Sequence, residues 1–391
     1  MSNVPKVGET LVSELMAAED YRQQRQRVDA RKNGFEPISE TVDEWFARNE
    51  GLLREIVVSN GAPISDVDNI LAQYKLSLQT ASGSEFDDPN VQLILKGVID
   101  KIEEVCRAGE VPIRGGVVYG VSPELGAVIC QATVVSTDVS IIKVSLPFIA
   151  FCNGIAKAMA RTLPISADRS ISNDPRVVKE HLTNNRALAA EWAHLIVSYA
   201  ISGWPPSRRS PTPEGRTQIT RLLILQSLEW FAVAHEYGHH ILRHGVVQAS
   251  DQQEDPILQE HEADIFARAV SMVLGSREAP PNAFAWFGAG GVLILGMLEL
   301  VRRARELLKT GVDRVPVLET HPPFLERIST IAALDANMPS DYAMAAADMR
   351  ECFAGIISII WDEVSPVLVE LHASGMKPLD LDSDLDGWLP L

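Results

Sequence analysis

A helix that is apolar on most of its faces has to be buried, and the run Leu222-Leu223-Ile224-Leu225, continuing through Leu228, Trp230, Phe231 and Val233, is of that kind. Directly behind it stands Ala234-His235-Glu236-Tyr237-Gly238-His239, so the same helix carries two imidazoles and a carboxylate into the interior. Residues four apart lie about 40° apart around a helix axis, which puts His235 and His239 on one face. Buried imidazoles and carboxylates need partners, and a metal ion is a partner that two histidines at this spacing can share. The histidines are clustered accordingly: six of the nine, His235, His239, His240, His244, His261 and His321, fall within 87 residues. Extended along the same helix, His240 and His244 point about 100° and 140° away from His239, so both read as structural.

A metal held by two histidines needs a third ligand. The continuation H-x-x-G-x-x-H is absent, because Leu242 and Gly245 stand where it requires Gly and His. The alternative is a carboxylate on the next helix, where Glu260-His261-Glu262-Ala263-Asp264 offers Glu260, with Glu262 and His261 as alternatives. Asp264 lies one turn beyond Glu260 and can accept the second ring N–H of a ligand histidine. Ala263 and Ala267 are small enough to let the two helices approach closely. From His244 to Ala267 there are six Asp or Glu and no Lys or Arg, a local field that favours a cation.

The string His-Glu-Tyr-Gly-His-His-Ile-Leu-Arg-His, then Glu-His-Glu-Ala-Asp-Ile-Phe-Ala, then Thr320-His321-Pro322-Pro323-Phe324-Leu325-Glu326-Arg327-Ile328 resembles the M48-type gluzincin metallopeptidases, over about residues 117 to 335. That resemblance implies a zinc peptidase with His235, His239 and Glu260 as zinc ligands and Glu236 as general base. It also implies that Asp264 supports a ligand histidine, that His321 sits at the cleft to stabilise the tetrahedral intermediate, and that Arg327 braces the site. The short acidic gap between the two motifs is closer to compact, thermolysin-like gluzincins, including bacterial proteases that act on repressors or host factors, than to the membrane branches such as the CAAX prenyl endopeptidases.

The remaining chain frames this site. With 391 residues and a net charge of −17, the surface repels phosphate backbones, so the expected partner is a peptide or protein and not a nucleic acid. Cys106, Cys130, Cys152 and Cys352 have no paired spacing, and charges run through the first thirty residues; both features suit a cytoplasmic protein. The stretch 279–298 is free of charge, and its prolines and glycines favour a buried core helix over a membrane span. The pattern predicts an α+β, mostly helical, zincin-type fold: a helical extension at 1–110, a metallopeptidase core at 111–340, and a C-terminal helix and acidic tail at 341–391.

Within that frame, β-branched runs over 117–145 predict a small sheet or a pair of hairpins, with the strand around 140–145 as an upper edge that could pair with an extended peptide. Prolines make 202–216 a loop whose Arg208, Arg209 and Arg216 could help hold a substrate, although basic residues on exposed loops are usually only solvated. Asp382, Asp384 and Asp386 read as an acidic tail, since the chain ends before a calcium loop could close. Oligomeric state leaves no mark in the sequence.

Overall fold

The computed structural model describes residues 7–379, apart from residues 60, 82, 135–136, 165–173, 208–209, 212, 246–254 and 317–319. Arg208, Arg209 and the acidic tail around Asp382 therefore lie outside the described residues. Four helices come first: α1 (Val7–Asn33), α2 (Val42–Ser59), α3 (Val67–Thr80) and α4 (Pro89–Ala108). The strands β1 (Gly116–Ser122), β2 (Ile129–Thr133) and β3 (Val139–Ser145) follow, then α5 (Leu146–Thr162), α6 (Pro175–Asn184), α7 (Arg186–Ser202) and α8 (Gly215–Leu242). The chain continues through α9 (Pro256–Arg277), the single turn α10 (Ala283–Trp286), α11 (Ala289–Thr310), α12 (Phe324–Ala332) and α13 (Ser340–Ala373). This mostly helical chain with one small sheet is an α+β arrangement.

Local chemistry starts several of these helices in one way. Asp88-Pro89, Asp174-Pro175 and Asp255-Pro256 open α4, α6 and α9, each Asp accepting N–H groups of the first turn while Pro occupies a position where no N–H is needed. One apolar core joins α4, α5, α7, α8, α11 and α13, with Phe148, Trp192, Phe231, Leu293 and Phe353 among its buried members. A separate small cluster of Phe46, Val67, Leu71 and Leu78 holds α2 to α3.

The sheet differs from a pair of hairpins. Its order is β1-β3-β2, with β1 parallel and β2 antiparallel to β3. The strand at 140–145 is therefore central and fully buried, not an edge. Its run Ser140-Ile141-Ile142-Lys143-Val144-Ser145 has two faces to cover, as continuous apolar strands do, and β2 takes the edge.

The charge-free stretch also differs from one helix. It holds the turn α10, breaks at Gly288 in the left-handed region (φ 82°), and only then enters α11. Gly290 and Gly291 let α11 lie against Ser227 and Phe231 of α8, because a methyl group there would meet those residues at 2.5–2.6 Å. Among the described residues, one helix is long and apolar enough to cross a membrane, and it is α13; Phe353, Ile356, Ile360 and Trp361 on it are buried in the core.

The first helix is fastened to the sheet by a buried polar knot. Asp87 accepts from Arg22 Nη1 (3.1 Å) and Nη2 (2.8 Å), from Gln26 Nε2 (3.0 Å) and from the Val121 N–H (2.7 Å). Gly120 is required beside it, since any side chain there would overlap the Arg22 guanidinium. Removing one partner of a buried pair strands the other charge, so Asp87→Ala is expected to cost about 3–5 kcal/mol in urea unfolding. Glu85→Ala, which breaks the exposed Arg27–Glu85 pair, is expected to leave the unfolding midpoint close to that of the parent in the same experiment.

Candidate metal centre

Two helices build the site, and their closeness is set by small residues. Gly238 of α8 faces Ala263 of α9 so tightly that a Cβ on the glycine would stand 3.3 Å from the Ala263 Cα and 3.2 Å from Phe266 Cδ1. Ala263 and Ala267 are completely buried in this seam. Side chains next to the seam and one turn before it then meet across it: His235 and His239 from α8, Glu260 and Asp264 from α9.

The two Nε2 atoms of His235 and His239 are 3.2 Å apart, Glu260 Oε2 is 3.4 Å from His235 Nε2, and Glu260 Oε1 is 3.4 Å from His239 Nε2. Ligands about 2.0–2.1 Å from a tetrahedral ion stand about 3.3–3.4 Å from one another, so these separations fit one small divalent cation. Within the described residues this trio is the group so arranged. Glu260 Oε2 is buried and makes no hydrogen bond, only the longer ion pairs to His235 and Arg327. The alternative ligands are engaged elsewhere: His261 Nδ1 with Thr330 Oγ1 at 2.7 Å, and Glu262 Oε2 with His244 Nε2 at 3.0 Å.

The backs of the imidazoles are held as well. His235 Nδ1 lies 3.0 Å from Asp264 Oδ1, and Arg327 from α12 grips Asp264 with two bonds of 2.7 Å, its Nη2 also 3.3 Å from Glu260 Oε2. Burial works against a charge on His235, but Glu260 and Asp264 outweigh it and raise its pKa to about 10, so without a metal this ring carries the proton that keeps the cluster together. Burial likewise opposes the charge on Asp264, and Arg327 keeps it ionised.

Glu236 lies beside the cluster on the side nearer the sheet, close enough to feel the charges of His235, Glu260 and Arg327. Burial raises its pKa to about 7, partly offset by the charge on His235 and by the Gln131 N–H of β2, which donates to its carboxylate. His321 comes from the turn before α12; its Nε2 is 3.7 Å from Glu260 Oε1, its Nδ1 is 2.8 Å from Thr320 Oγ1, and it stays about two-fifths exposed. His235, His239, Glu260, Asp264, His321 and Arg327 are thus brought together, with Glu236 beside them.

Two features were not readable beforehand. The Gln131 contact depends on β2 being the edge strand, which no local pattern states. His244 does not continue the helix: α8 ends at Leu242 and the chain reverses at Arg243 in the left-handed region (φ 66°), which swings His244 back to place Nδ1 2.8 Å from His239 Nδ1. Gly245 was the available signal, as glycine marks helix ends. His240, on the helix proper, instead bonds Ser140 Oγ at 2.9 Å and belongs to the packing of α8 on the sheet.

In metal-free protein, NMR titration of the imidazoles is expected to show His235 holding its proton to about pH 10, while His240, whose pKa burial and then Arg114 depress to about 4, stays neutral from pH 9 down to about pH 5. Because the folded pKa of His240 lies below its unfolded value, its contribution to stability is present above about pH 6.5 and is lost as the pH falls toward 4.

Residues 155–347, which contain these side chains apart from Arg114, Gln131 and Ser140, match the Peptidase U49 family model. That is a peptidase family other than the M48 type, and it supports a proteolytic function in general. No curated protein and no solved structure matches the chain.

Proposed function

We propose that this chain is a zinc-dependent endopeptidase of gluzincin type, with His235, His239 and Glu260 as the metal ligands. The observation that carries the reading is the separation of their three donor groups, 3.2–3.4 Å, which suits one tetrahedral ion. Two imidazoles and one carboxylate are also the donor set that leaves a position open for chemistry. When bound there, zinc supplies Lewis-acid polarisation of the scissile carbonyl and a water acidified to a pKa of about 7.

The remaining work falls to the chain. Glu236, poised near neutrality by burial, accepts the proton of the attacking water and returns it to the leaving amine. Thr320 Oγ–H donating to His321 Nδ1 leaves the ring proton on Nε2, the atom nearest Glu260, and burial keeps this imidazole neutral. His321 is thereby a hydrogen-bond donor toward the oxyanion. Arg327 and Asp264 hold His235 and Glu260 in place.

The edge strand gives the substrate a place. β2 pairs with β3 on one side only, and Gln131, an outward-facing position of that ladder, already turns its N–H to Glu236. An extended peptide laid along β2 runs past the general base. We place the enzyme in a cytoplasm, acting on a peptide or a single regulatory protein; a zinc-stabilised binding protein is the reading disfavoured by Glu236, which zinc binding does not require.

The test is a proteome-derived peptide library incubated with the zinc-loaded protein and with Glu236→Gln, the products read by mass spectrometry. Cleavage by the parent alone, with one zinc retained in both, is the expected result; equal cleavage by both sinks the assignment. His321→Ala is expected to lower kcat by about 10²–10³-fold at unchanged zinc content, the scale of one lost oxyanion donor, whereas loss of zinc would make His321 structural.

A further inference from the structure

We infer that His244 and Glu262 form a relay that positions the metal ligand His239, and that metal retention depends on it as well as on the three ligands themselves. This rests on the proposed metal site and extends it to residues that touch no ligand position.

For His239 to offer the Nε2 lone pair to a cation, its proton must sit on Nδ1, and a buried N–H needs an acceptor. The acceptor is His244 Nδ1 at 2.8 Å. His244 can accept there only with its own proton on Nε2, and that nitrogen stands 3.0 Å from Glu262 Oε2. Each ring therefore fixes the tautomer of the next, and the chain ends on a carboxylate. The arrangement parallels the other ligand, where Asp264 backs His235 directly at 3.0 Å, with a second imidazole interposed. Glu260, Glu262 and Asp264 all belong to α9, so one helix supplies a ligand and both terminal carboxylates.

The backbone is built to hold this contact. The His244 N–H donates to the His239 carbonyl at 3.0 Å and the Arg243 N–H to the His240 carbonyl at 3.2 Å, the two bonds of a Schellman helix end. That motif usually has glycine at the left-handed position, which Arg243 occupies here, a backbone choice that non-glycine residues adopt at a cost and that clusters at functional places. The His244 carbonyl in turn accepts from Thr133 Oγ1 at 3.1 Å, so the edge strand fixes it from the opposite side. Ring, N–H and carbonyl of His244, itself 4 % exposed, are all engaged.

The experiment is zinc affinity by competition with a chromophoric chelator on the full chain, with thermal unfolding of each metal-free variant alongside. His244→Phe keeps a buried ring but removes the acceptor, and is expected to weaken zinc binding about 10–100-fold, the usual effect of losing a ligand's supporting partner. His244→Asn, whose Oδ1 takes the position of Nδ1, is expected to restore affinity to within about threefold. A rescue of this kind is not what a merely structural role gives. Parent-like affinity in His244→Phe overturns the relay, as does failure of His244→Asn to bind better than His244→Phe. Should His244→Phe not fold, the half-exposed Glu262→Ala decides: a several-fold loss of affinity supports the relay and parent affinity overturns it. A parent protein that binds no zinc instead overturns the metal site itself, a result distinct from any difference among variants.

Discussion

Everything in this fold that bears on chemistry follows from the contact between Gly238 and Ala263. A side chain larger than hydrogen at the first, or larger than methyl at the second, would push α8 and α9 apart, and the donors of His235, His239 and Glu260 would no longer lie 3.2–3.4 Å from one another. The two alanines of α9 and the glycine inside the H-E-x-x-H string are thus as much part of the site as the residues that face it. Apolar burial supplies the driving force along the rest of α8, from Ile224 to Ala234, and α11 closes the other side through its own pair of glycines.

Such closeness concentrates charge where water cannot screen it. Glu260 and Asp264 are ionised and buried, Arg327 answers one of these charges, and His235 takes up a proton to answer the other. A cluster with two fixed negative charges and one fixed positive charge has room for a further cation, between the Glu260 carboxylate and the two imidazoles. Glu236 shares in that balance: burial first, and Glu260 with it, lift its pKa to about 7 against the opposing pull of His235 and Arg327.

The sheet contributes through its order more than through its size. Because β1 pairs in parallel with β3, the most apolar strand is enclosed and β2 is left at the edge, beside α8. From there its backbone reaches Glu236 through Gln131, and its Thr133 side chain reaches His244. One short strand so touches both Glu236, the proposed general base, and His244, which backs the proposed metal ligand His239.

The sequence alone determined the helix bearing His235, Glu236 and His239, the separate helix bearing Glu260 and Asp264, and the mainly helical character of the chain. These rest on period, capping and composition, which act over a few residues and leave marks in order along the chain. Which strand is the edge, where the charge-free stretch breaks, and what His244 touches were decided only by tertiary structure. A strand's neighbours are fixed by pairing across the sheet, the break at Gly288 lets α11 approach α8, and His244 leaves the helical phase at one left-handed residue. Each depends on contacts between segments distant in sequence, or on a single backbone angle, and neither is written in a periodic pattern.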